Sequence, residues 1–108
     1  MSGEHGVLLT TLPDRAGAQA MARLLVEEKL AACVQLLPIE SFYRWEGKVQ
    51  NEGEVLLLIK TRTALFDTAM ARIKAAHPYT VPEIVCWPFS AGHPPYLDWI
   101  GENTLPAA

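Results

Sequence analysis

Four short apolar runs punctuate the chain: "VLLTT" at 7–11, "CVQLLP" at 33–38, "VLLLIKT" at 55–61 and "EIVCWP" at 83–88. Their length and their flanking Pro, Gly, Asp and Asn residues mark them as strands. Between the first two, Arg15, Gln19, Arg23 and Glu27 recur every four residues, while Ala18, Met21, Ala22 and Leu25 make the opposing apolar face. That is the period of an amphipathic helix, and Asp14 after Pro13 is its expected N-cap. Between the last two, Phe66, Ala69, Met70, Ile73 and Ala76 line one side of a second helix, with Thr63 as the expected cap. The methionines at these positions read as core filling.

The two halves echo each other. Ala-Met-Ala-Arg stands at 20–23 and again at 69–72, each time between two of the apolar runs. The chain thus reads as two strand–helix–strand units. Joining them, Ile39, Ser41, Tyr43 and Trp45 alternate with Glu40, Phe42, Arg44 and Glu46, the period of a strand with two different faces. Glu46-Gly47 is the expected hairpin turn, and Asn51-Glu52-Gly53 suggests a bulge in the returning strand.

The order β-α-β-β-α-β predicts an α+β fold of the ferredoxin-like, split βαβ type: a four-stranded antiparallel sheet in the order 4-1-3-2 with two helices on one face. A short C-terminal helix is expected from Tyr96, Trp99 and Ile100 in "PPYLDWIGE", docking on an assembly. Residues 1–108 suit one domain, with 1–5 expected as a flexible N-terminus. Two open sheet edges and a long aromatic hairpin are a liability in a monomer, which argues for pairing with further copies of the chain.

Charge and cysteine content narrow the function by exclusion. Nine Lys and Arg against twelve Asp and Glu give a net charge of −3, so the basic footprint of a nucleic-acid partner is absent. No apolar run of about 18 residues could span a membrane, and "MSGEHGVLLTT" lacks the pattern of a secretory signal. A cytoplasmic location is the default expectation. Cys33 and Cys86 are too far apart for a CxxC-type zinc site and, on opposite sheet edges, for an intrachain disulfide; reduced thiols are expected.

The stretches "EKLAACV" (28–34), "SFYRWEGKV" (41–49), "IKT" (59–61) and "HPYTVPEIV" (77–85) resemble the CutA family, the divalent-cation tolerance proteins, in order and spacing from Val7 to Ile100. The resemblance implies a cytosolic homotrimer of ferredoxin-like subunits joined by edge strands and implicated in copper tolerance. It also implies metal ligands at a first-strand cysteine and at histidines before "PY". Here Thr10 and Ala76 stand at two of those places, so His77 remains, with Cys33 as a second soft donor. No cofactor is required on this reading, and copper or another divalent cation is the ligand implied. A copper site needs two or three soft or borderline donors, which one subunit barely offers.

The prolines of "AHPYTVPEIVCWP" have a purely structural explanation. Pro78 ends the second helix at His77, and Pro82 and Pro88 bracket an edge strand. Tyr79 and Glu83 are left to serve a cleft. Tyr43 and Trp45 are expected at a subunit contact before a ligand. Lys60 is the candidate for an anionic ligand near the start of the second helix; His5 and His93 read as solvated. Acylphosphatases share this fold, but "TTLPDRAGA" has no G-x-G anion loop and Arg15 falls on the polar helix face. No other catalytic constellation is legible, so a non-enzymatic protein is expected. The alternative to metal binding is a trimeric small-molecule sensor or protein scaffold using intersubunit clefts.

Overall fold

The first strand, β1 (His5–Leu12), is buried on both faces in a computed structural model that describes residues 3–106. It is followed by α1 (Arg15–Glu27), β2 (Cys33–Trp45), β3 (Lys48–Arg62), α2 (Phe66–Ala76), β4 (Ile84–Pro88) and α3 (Pro94–Glu102). The antiparallel sheet has the order β2-β3-β1-β4, the order expected from the sequence. Leu8, Leu57 and Ile59 on one sheet face pack with Ala18, Met21 and Leu25 of α1 and Ala69 and Ile73 of α2. Register places α3 on the other face: Arg62, across from His5, donates to the Gly101 carbonyl and to Thr104 Oγ1 at 2.5 and 3.0 Å.

Local signals act as their chemistry demands. Asp14 accepts from the Gly17 N–H at 2.7 Å and caps α1. Asp14→Ala should therefore cost about 1 kcal/mol, read as a lower urea midpoint; an unchanged midpoint would show the cap is redundant. Glu46 and Gly47 both have positive φ, 51° and 77°, the conformation that a tight hairpin turn between twisted strands requires. Helix α2 stops at His77, whose ψ of 137° is already extended ahead of Pro78.

Several expectations are corrected. Thr63 does not cap α2: a 3-10 turn, Thr63–Leu65, precedes the helix, and the Thr63 hydroxyl donates to the Gly3 carbonyl instead. No bulge forms at 51–53, because β2 and β3 pair in one continuous register from Cys33↔Lys60 to Trp45↔Lys48. Asn51 is satisfied within that ladder by Glu40 and the Ser41 carbonyl. Ala76 is exposed at the end of α2. The repeated tetrapeptide is presented in different phase, with Met21 buried in α1 but Ala69 in α2.

Residues 3–5 are tied down. Gly3 donates to Phe89 O, Phe89 to His5 O and Thr63 to Glu4 O, and residues 1–2 lie outside the described range. His5 is half-buried, not solvated. In α3, Leu97 and Ile100 are buried while Tyr96 and Trp99 stack on each other, exposed, at 5.8 Å. The C-terminal helix thus seats on its own chain.

Two features set up the functional surfaces. Among the described residues the β2–β3 hairpin beyond Val55 pairs only with itself, a free ribbon that stretches the chain to 44 × 26 × 22 Å. The sheet face opposite α1 and α2 is only partly covered by α3. Its rows Val85–Leu9–Leu58–Gln35 and Thr11–Leu56–Leu37 follow from register. Leu37, Val85 and Trp87 there are 50, 46 and 49 % exposed. No helix among the described residues is long and apolar enough to cross a membrane.

Candidate functional site

The base of the ribbon gathers three of the candidate side chains, Tyr43, Tyr79 and His77. On β3, Glu52 and Glu54 are two apart and share one face with Tyr43 of β2; the register sets Glu52 opposite Ser41, Glu54 opposite Ile39 and Tyr43 opposite Gln50. Tyr43 donates its phenol to Glu52 Oε1 at 2.9 Å. Tyr79, carried in from the turn after α2, donates to Glu54 Oε2 at 3.1 Å. The His77 ring lies 4.9 Å from the Tyr79 ring, centroid to centroid.

His77 is fully engaged. Its Nε2 lies 2.8 Å from the Thr11 carbonyl oxygen, and its Nδ1 is 3.1 Å from the Tyr79 backbone nitrogen. A carbonyl can only accept and a backbone N–H can only donate, so Nε2 carries the proton and Nδ1 is the acceptor. The imidazole therefore clips the α2–β4 connection to β1 and orients Tyr79 over Glu54. Coordinating a metal would break one of these two bonds, because a metal needs a ring nitrogen's lone pair.

Nor does the chain bring Cys33 to His77. Cys33 opens β2 level with Lys60 and Val7, whereas His77 is held at Thr11. Four residues along a strand is about 13 Å, and β2 lies two strand spacings, about 9.5 Å, from β1. Metal–ligand bonds are about 2.0–2.3 Å. Among the described residues no group of three or more His, Cys, Asp or Glu side chains is arranged to hold a metal ion. The expected His77–Cys33 pair is thus not assembled within one subunit, and its donors do not fit copper there. Cys33 and Cys86 are both free and half-buried.

The remaining candidates disperse. Lys60 does not face the start of α2; its Nζ sits 5.5 Å from the centroid of the Tyr96 ring of α3, a cation–π contact. Trp45 ends β2 at the ribbon tip, 54 % exposed. Glu83 is exposed just before β4 and takes no part in the tyrosine–carboxylate cluster. Glu52 and Glu54 are not among the sequence candidates, although Glu-x-Glu on the strand that returns alongside Tyr43 is a readable signal. Arg62 left no comparable trace, since its partners are about forty residues away.

Burial and the neighbouring carboxylates together raise both phenols. Burial, then the Glu54 hydrogen bond, pushes Tyr79 from its ordinary value near 10 up to about 12. The hydrogen bond to Glu52, with lesser help from desolvation, raises Tyr43 in the same direction. A phenol whose folded pKa exceeds its unfolded one stabilises the fold fully below the unfolded value, and the contribution is lost as pH rises through the folded one. Stability should therefore fall between about pH 10 and 12, and Tyr79→Phe should flatten that fall in urea titrations. Parallel pH curves for the two proteins would remove Tyr79 as the cause.

Comparison with known proteins places these features. The model of the CutA1 divalent ion tolerance protein family matches residues 6–103. The divalent-cation tolerance protein CutA of Thermus thermophilus is 52% identical over 99 residues, 91% of this chain and 96% of that protein. The chloroplastic CutA of Arabidopsis thaliana is 44% identical over 99 residues; the alignment covers 91% of this chain but 54% of the plant protein, so the chain spans about half that relative's length. The crystal structure of CutA1 from Oryza sativa superposes with a TM-score of 0.92 at 42% identity, covering 96% of each chain.

Proposed function

The chain belongs to the CutA1 divalent ion tolerance family, and on that premise we propose that it serves metal tolerance as a cytoplasmic, non-enzymatic homotrimer. In this reading its intersubunit clefts engage a small molecule or protein, and metal effects are indirect. The observation that carries it is His77: both ring nitrogens are committed to backbone partners, at 2.8 and 3.1 Å. The residue the family resemblance makes the metal donor serves here to fix Tyr79.

Assembly is supported by the uncovered apolar rows around Leu37 and Val85, together with open edges at β2 and β4. The cytoplasmic placement rests on the two free thiols, which suit a reducing compartment. Copper held by His77 and Cys33 is the rival reading. It needs the His77 clip to open and a neighbouring subunit to bring the donors together.

Copper titration of the purified protein at pH 7.5 in a non-chelating buffer, stoichiometry counted per chain, separates the two. His77→Ala should keep wild-type stoichiometry and affinity while melting lower, because the clip to Thr11 and Tyr79 is gone. A folded His77→Ala protein that no longer binds copper, beside a wild type that does, would overturn this reading and restore the copper site.

A further inference from the structure

We draw no further inference here: the strongest candidate, the open cleft between the start of β1, the end of β3 and α3 that is lined by Glu4, His5, Arg62, Asp98 and Glu102, is an acidic cluster around an arginine already bound to α3, with no second observation pointing to a ligand.

Discussion

Leu37→Asp should convert the proposed trimer to a monomer at micromolar concentration, with light scattering falling from three times 11.9 kDa to one. Leu37 lies on an edge strand, in a row with Leu56 and Thr11, on the sheet face that α1 and α2 leave uncovered. In a lone subunit it is half-exposed, at 50 %, so a carboxylate there meets water and costs little. In an assembly that covers this face, the same carboxylate is buried where wild type places an apolar side chain. An unpaired charge of this kind is among the costliest groups to bury. If assembly and folding are linked, the melting temperature should fall with the mass and become independent of protein concentration. Val81→Asp is the control: Val81 is 75 % exposed in the connection before β4, off the sheet, and its replacement should leave the mass unchanged. A trimeric Leu37→Asp protein with wild-type melting would show that this face lies outside the interface, and a monomeric wild type would remove the assembly itself.

Gly6→Ala should be the most damaging glycine-to-alanine change among the described residues. A Cβ at Gly6 would lie 2.5 Å from the Trp87 carbonyl oxygen, 2.7 Å from Phe66 Cζ and 2.8 Å from Pro88 Cα. Two of those three neighbours are backbone atoms of β4, which has five residues and pairs in the sheet only with β1. Relief therefore has to come from separating β4 from β1 or displacing the Phe66 ring. Overpacking usually costs about 1–3 kcal/mol, and with backbone on two sides the upper end is expected, read as a lower urea midpoint. Gly53→Ala is the matched comparison, since nothing lies within 4 Å of its added Cβ; it should stay within about 0.5 kcal/mol of wild type. Equal midpoints for the two variants would mean that β1 and β4 can part at little cost.

Much of the architecture was legible because it rests on local chemistry. Short apolar runs place all four strands and four-residue periods both crossover helices, Asp14 caps where a short carboxylate should, and Pro78 forces His77 out of the helix. Glu46-Gly47 supplies the positive φ angles of the hairpin turn. The strand order follows from chain connectivity, and the separation of Cys33 from Cys86 follows from the order. Where local signals competed they misled. Asn51-Glu52-Gly53 reads as an interruption, yet the ladder runs straight through because Asn51 finds its partners across the strand pair. Thr63 reads as a cap, yet its hydroxyl serves Gly3, sixty residues earlier.

By itself, then, the sequence determined the secondary structure, the topology and the resemblance that led to the family, all of which depend on neighbours along the chain or on shared motifs. Only the tertiary structure decided what the chemical groups do. His77 is a histidine before Pro-Tyr in either reading; the carbonyl of Thr11, sixty-six positions away, makes it a clip rather than a free donor. Lys60 ends a strand in the sequence and Arg62 goes unremarked there, but α3 takes up both, through the Tyr96 ring and the Gly101 carbonyl. Glu52 and Glu54 acquire a role once two tyrosines from separate elements arrive above them. The reason is physical: periodicity records which way a residue points, whereas a hydrogen bond or an ion's coordination sphere needs a particular partner atom within about 3 Å, and long-range packing alone supplies that partner.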